Sequence, residues 1–171
     1  PNSHQFGEAC AYPSESDEMV EWGQHLGEDH DIAAGTDVVA IAHGKVMRTA
    51  YHYGYNRNKG GDGRNWGGVV IIAHWISKDV VVYSLYGHLT LRADLQSGDQ
   101  VKRGDVIGTI APALTKENGW WEKAHLHLQI VVDPDNHYRG GVFSGYARDA
   151  PNRLADCVAP RAWFEIWRGQ K

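Results

Sequence analysis

Val69-Val70-Ile71-Ile72-Ala73-His74 (VVIIAH) and Val80–Tyr86 (VVVYSLY) decide how this chain folds. Each is a short, continuous apolar run rich in β-branched and aromatic residues, which reads as a strand buried on both faces. Outward from this pair the same texture continues. Val38–Ala42 and Lys45–Tyr53 flank a turn at His43-Gly44, and Asp99–Ile110 holds two short runs around Arg103-Gly104. Ala124–Val132 (AHLHLQIVV) closes the series. Short strands separated by regular turn signals predict an all-β fold, an antiparallel sandwich or barrel-like sheet.

The flanks read differently. Residues 1–20 lack periodicity and are expected to form an arm with one helical turn near Ser16–Val20. Gly54–Gly68 carries six glycines and reads as a long surface loop. After Asp133 the chain turns polar and irregular, and Pro160–Arg168 (PRAWFEIWR) is expected to end it as a short amphipathic helix with Pro160 near its start. One domain over 1–171 is expected, with an arm (1–20), a core (23–132) and a C-terminal extension (133–171).

Composition narrows function. The 171 residues are 42% hydrophobic, enough to bury a core, and the formal net charge is -4. No basic run suits phosphates, so nucleic acid is not an expected partner. No apolar stretch approaches the roughly 20 residues that cross a bilayer as a helix. The chain opens at Pro1 without a Met or a leader, as a mature or trimmed form would. The two cysteines, Cys10 and Cys157, form no CxxC pair, which argues against a zinc-thiolate centre. One disulfide joining the two ends of a secreted chain is the expectation. Ten His raise the odds of metal chemistry, while 7 Trp and 8 Tyr suit a groove for an extended polar substrate or simply a β-rich core.

In AHLHLQ, strand alternation puts His125, His127 and Gln129 on one face and Leu126, Leu128 and Ile130 on the other. The aliphatic face belongs to the core, so the His face should be exposed or line a polar cleft. His25-Leu26-Gly27-Glu28-Asp29 offers an imidazole and a carboxylate four residues apart in a non-helical segment. Glu28, His30 and Asp31 are chemically able to substitute for Asp29. Tyr86-Gly87-His88-Leu89 is expected to end a β-run with an imidazole at the strand terminus.

In this order the three motifs resemble those of the lysostaphin-type zinc endopeptidases, which carry HxxxD early, a lone His after a strand and HxH late. Gly35–Ala40 with His43–Val46, the strand Val69–His74, and Gly98–Gly108 resemble further family segments. The likeness spans roughly Gly23 to Val132. It implies a zinc ion held by His25, Asp29 and His127, with His88 and His125 off the metal as general base and transition-state stabiliser in either order. It implies hydrolysis of peptide bonds in peptidoglycan stem peptides or cross-bridges by a secreted, periplasmic or wall-associated protein, expected to be a monomer. A non-catalytic activator module on the same fold and a zinc protease for soluble proteins are the alternatives. The chain departs from the family pattern in HLHLQ for HLHFE, in its long Gly-rich loop and in Asn118–Lys123. Trp66, Trp120 and Trp121 are candidates to hold substrate or to pack locally, and Tyr53 and Tyr55 to hydrogen-bond an oxyanion. His74 is expected to be a packed, hydrogen-bonded side chain.

Overall fold

The structure is a computed structural model that describes residues 4–13, 18–54, 65–133, 138–139, 142–147 and 154–168. Fourteen strands and one helix follow in chain order among these residues: β1 (Ala9–Pro13), β2 (Met19–His25), β3 (Glu28–Asp31), β4 (Asp37–Val39), β5 (Gly44–His52), β6 (Gly67–Trp75), β7 (Val81–Leu91), β8 (Gln100–Val101), β9 (Val106–Ile110), β10 (His125–Val131), β11 (Tyr138–Arg139), β12 (Val142–Phe143), β13 (Tyr146–Ala147), β14 (Cys157–Val158) and α1 (Pro160–Arg168). The fold is all-β with a short C-terminal helix, as the texture of the sequence indicates.

The main sheet runs β14-β10-β7-β6-β5-β8, with β3 added to β10 and β9 joining β7 to β4. Every pairing in it is antiparallel. Central β6 explains why its sequence shows no alternation: eight of its nine residues are buried. Val70 and Ile72 join one apolar cluster with Tyr86, Leu89, Ile107 and Leu128, while Val69 and Ile71 join another with Leu26, Leu85 and Val131. Each fully buried Ile or Leu contributes roughly 1.5–3 kcal/mol relative to exposure. Over the second cluster lies a small sheet, β1-β2-β13, and that is the side on which His125 and His127 project.

Three expectations need correction. The first twenty residues are not an arm with a helical turn: Met19 and Val20 begin β2, which pairs with β1. Residues 14–17 lie outside the described residues. Gly67 and Gly68 belong to β6 rather than to a loop, and residues 55–64 lie outside the described set. The disulfide is absent. Cys10 sits on β1 of the small sheet, beside the Glu8 carbonyl at 3.6 Å, whereas Cys157 sits on β14 of the main sheet, 3.5 Å from the Gln129 amide nitrogen. Burial, with the charges of Glu8 and Asp29, pushes the Cys10 thiol up to about 11. Burial does the same to Cys157, also to about 11, against the opposing Gln129 contact. Both are therefore protonated, unreactive core thiols at neutral pH.

At the C-terminus Pro160 opens α1, where its missing N–H is not needed. Buried Glu28 accepts a bond from the Arg161 amide at 3.3 Å, placing a carboxylate at the helix N-terminus. Phe164 packs on the first apolar cluster.

His74 is hydrogen-bonded as expected. Its Nδ1 faces the His43 carbonyl at 2.9 Å, so Nδ1 carries the proton and Nε2 accepts from Ser84 Oγ at 2.7 Å. Ser84 Oγ lies 3.2 Å from Tyr86 Oη, which accepts the Ile41 amide at 3.0 Å. This buried chain ties the turn after β4 to the middle of the sheet and works only with a neutral imidazole. Burial depresses the His74 pKa from 6.5, opposed in part by the His43 carbonyl. The unfolded chain then binds the proton first, so His74 stabilises the fold above about pH 6.5 and that stabilisation is lost as pH falls below it. We expect His74→Leu to lower the urea midpoint at pH 8. The gap from wild type should narrow between pH 6.5 and 5, and a gap independent of pH would contradict this account.

Candidate metal and catalytic site

The site forms where β10 lies between β3 and β7. His127 pairs with Asp29 on one side and with Gly87 on the other, so Asp29 and His127 are direct cross-strand neighbours on one face. His25, the last residue of β2, reaches the same point across the two-residue link Leu26-Gly27. The three side chains are 7% exposed or less. His127 Nδ1 lies 2.8 Å from Asp29 Oδ1 and 3.0 Å from His25 Nε2, and His25 Nε2 lies 3.4 Å from Asp29 Oδ1.

The outer nitrogens have acceptors of their own. His25 Nδ1 faces the Gln5 carbonyl at 3.3 Å and must donate to it. His127 Nε2 lies 3.5 Å from Gln129 Oε1, and Gln129 is oriented by donating Nε2 to the Ser144 carbonyl at 3.1 Å. With both protons outward, as a bound cation would require, three acceptor atoms converge on one point. Burial lowers the His127 pKa although Asp29 opposes it, which keeps the imidazole neutral. For Asp29, burial raises the pKa, but the His127 and His25 imidazoles outweigh it and hold the carboxyl well below the usual range. Two imidazoles and a carboxylate are the donor set of a divalent metal. Ligands about 2.0–2.2 Å from a tetrahedral ion stand about 3.3–3.6 Å apart. Separations of 2.8 to 3.4 Å fit that with a few tenths of an ångström of movement. Among the described residues these three form the one His/Cys/Asp/Glu group close enough to hold an ion together.

The other carboxylates near Asp29 point elsewhere. Glu28 turns to α1 and to His30 Nε2 at 3.5 Å, and Asp31 pairs with Lys123 at 3.7 Å. The expectation of an exposed His face or a polar cleft resolves to a buried one: His125 is 6% exposed and His127 3%.

His88 is not at a strand end. β7 runs on to Leu91, and His88 sits in a bulge where Gly68 pairs with Leu89 but Val70 pairs with Tyr86. Its φ of 64° is the left-handed conformation that the bulge imposes. The turn of the backbone brings its ring to 4.2 Å from that of His125 and 6.3 Å from that of His127. Its Nδ1 donates to the Asn118 carbonyl at 2.9 Å, and His125 Nδ1 donates to the Lys123 carbonyl at 3.0 Å. Each ring therefore keeps Nε2 as its basic nitrogen. Burial and the neighbouring His125 drive the His88 pKa well below that of a free imidazole, against Asp29 and the Asn118 carbonyl.

This constellation can bind one cation and places two imidazoles beside it, each with Nδ1 on a backbone carbonyl. The sequence between residues 23 and 138 matches the model of peptidase family M23. The chain belongs to that family. Among solved structures, the M23 domain resembles the catalytic domain of the antimicrobial peptidase lysostaphin from Staphylococcus simulans, at 22% identity and a TM-score of 0.57, over 96% of this chain and 92% of that one. It resembles LytU at 24% and 0.58, over 96% and 84%. A zinc containing peptidase from Vibrio cholerae matches at 22% and 0.53, over 88% of this chain and 37% of its own length. These likenesses are of fold. Among curated proteins no sequence matches.

Aromatic side chains wall the site. Trp66 meets His127 edge-on at 4.7 Å and stacks on His88 at 5.9 Å. It fits because Gly87 and Gly145 have no Cβ; one built on Gly87 would stand 2.8 Å from the indole. Trp121 meets His88 and His125, each at 6.2 Å, and Trp120 is half-buried beside it. Tyr53 stacks on Tyr51 at 5.4 Å with Lys116 Nζ 5.0 Å from its ring, and among these contacts none is to the histidines. Tyr55 lies outside the described residues.

Sequence reasoning missed Trp22 and Tyr146, which meet each other at 5.3 Å and reach Trp121 and His25. The only available signal was Gly23, with φ 103°, beside a bulge that takes Trp22 out of strand alternation. It also gave Gln129 no part in the site.

Gly27 has a role beyond letting the chain curl. A Cβ there would stand 2.5 Å from His127 Nε2 and 2.6 Å from the Leu128 carbonyl. Gly27→Ala should displace the His127 ring, lower stability by about 1–3 kcal/mol and reduce the stoichiometry of bound metal. Calorimetry with elemental analysis checks this; an unchanged Tm and full metal content would contradict it.

Proposed function

We propose that this M23 peptidase is a zinc-dependent endopeptidase that hydrolyses peptide bonds in bacterial peptidoglycan, within stem peptides or cross-bridges. The observation that carries the reading is the convergence of His25 Nε2, Asp29 Oδ1 and His127 Nδ1 within 3.4 Å of one another, beside a second imidazole pair whose rings are 4.2 Å apart. Three protein ligands leave a tetrahedral ion one open position, as a catalytic rather than a structural zinc requires. When bound there, zinc supplies Lewis-acid polarisation of the scissile carbonyl and a nucleophile at neutral pH.

The protein's own groups do the rest. His88 and His125 each present Nε2 with Nδ1 held by a backbone carbonyl, so either can take a proton from attacking water and return one to the leaving amine. A buried, neutral His88 is ready to accept rather than already charged. Trp66, Trp121, Trp22 and Tyr146 pack their rings around the imidazoles and limit water there. A peptidoglycan substrate places the protein outside the cytoplasmic membrane, in the periplasm or at the wall, and a monomer suffices because the site draws on one chain. No described helix is long and apolar enough to cross a membrane. A non-catalytic module would have no use for two imidazoles held in the basic tautomer beside a complete ligand set.

Two sets of variants separate holding the metal from using it. His25→Ala and Asp29→Ala should lose most of the zinc. His88→Ala and His125→Ala should keep close to one zinc per chain and lose at least about 10²-fold in rate. The assay is mass spectrometry of fragments released from purified sacculi, alongside metal analysis. Full activity in both His88→Ala and His125→Ala would sink the mechanism. Cleavage of soluble proteins with intact sacculi untouched would redirect the substrate.

A further inference from the structure

Asn118 lies in the loop between β9 and β10, and it is fully buried. The loop is fastened to the start of β6 by the Gly68 amide on the Glu117 carbonyl at 2.9 Å, and to Asn65 by Trp121 Nε1 on its carbonyl at 2.9 Å. Within it Asn118 does two things. Its backbone carbonyl accepts from His88 Nδ1 at 2.9 Å. Its side-chain Nδ2 donates at 3.2 Å to the Lys123 carbonyl, the same oxygen that accepts from His125 Nδ1 at 3.0 Å. One residue thus links the two carbonyls that orient the two rings.

Stability does not explain the amide. Its Oδ1 is buried with no hydrogen-bond partner among the described residues, and an unsatisfied buried acceptor costs about 1–3 kcal/mol. What the amide supplies is a fixed distance between the two anchoring carbonyls. We propose that Asn118 is a positioning residue for both His88 and His125, setting their separation and holding each in the Nδ1–H tautomer. This rests on the reading that those imidazoles handle protons in peptide hydrolysis. Without the Nδ2 donor the Lys123 carbonyl is free to turn, and His125 loses a fixed acceptor. Its ring then samples both tautomers and both ring flips, while the Asn118 backbone still holds His88. Misplacement of a catalytic group by about 1 Å can cost on the order of 10²-fold in rate.

The test uses the zinc-loaded protein with Asn118→Leu, which keeps much of the volume, and Asn118→Ala, which avoids any overpacking. Long-range proton–nitrogen correlation spectra of the imidazoles should show wild-type His88 and His125 each as a single Nδ1–H tautomer. In both variants His125 should become a mixture, kcat should fall about 10- to 100-fold with KM within about twofold, and zinc content should stay unchanged. A merely structural role would lower Tm and leave the tautomers alone. A single Nδ1–H tautomer of His125 in both folded variants, or a kcat within about twofold of wild type, would overturn the proposal. The spectra need no substrate, so a wild-type protein inert on sacculi would refute the functional reading while the tautomers still decide this one.

Discussion

The close convergence of His25 Nε2, Asp29 Oδ1 and His127 Nδ1 is the constraint around which the molecule is built. The three atoms sit within 3.4 Å of one another in side chains that are almost wholly buried, and Gln5 and Gln129 offer acceptors to the outer nitrogens. Removing a carboxylate from water without a partner costs several kcal/mol, so the arrangement needs either protons or a cation at its centre. A cation there would let both imidazoles keep their outward protons. The rest of the fold supplies rigidity for this contact. β10 is held on both edges at His127, Gly27 leaves room for the ring, and the small sheet delivers His25 from the opposite layer.

Rigidity alone would leave the second pair of imidazoles out of place. A regular strand would send His88 and Gly87 to opposite faces, in a fixed relation to His127 across the ladder. The bulge in β7 changes that relation with one extra residue, and it does so next to a glycine whose missing Cβ admits the Trp66 ring. A left-handed φ at a histidine is a modest strain that the surrounding bonds must offset. Those bonds are the His88 amide to the Trp66 carbonyl at 2.9 Å, the Ala111 amide to the His88 carbonyl at 3.0 Å, and the ring to Asn118. Strain and restraint are thus concentrated at His88.

The same physics explains what was legible in the sequence. β6 could be read from composition because both its faces are covered, and β10 from alternation because its Leu and His faces differ in chemistry. His25, Asp29 and His127 were legible as a set because type and spacing, matched to a family pattern, converge on one donor chemistry. What alternation could not give lies at bulges, where the period of two fails: Trp22 in β2 and His88 in β7 both point where counting would not send them. The N-terminal strands were hidden for another reason. β1 and β2 form a small sheet with three exposed residues at the start of β2, so their sequence carries little hydrophobic signal.

The cysteines show how a plausible rule loses to topology. Two cysteines near opposite ends of a chain of this size suggest a closing bridge. Yet Cys10 and Cys157 belong to different sheets, and each thiol rests against a backbone or side-chain group that serves the site. Cys157 touches the Gln129 amide whose oxygen faces His127, and Cys10 approaches His4 Nδ1 at 3.8 Å, in the segment whose Gln5 carbonyl holds His25. Both are small, apolar fillers in the shell that orients the two imidazoles. A bridge would take each thiol from the contact it makes beside those outer groups. A centre that depends on the direction of two imidazoles is better served by two quiet thiols than by a covalent link between the sheets that hold them.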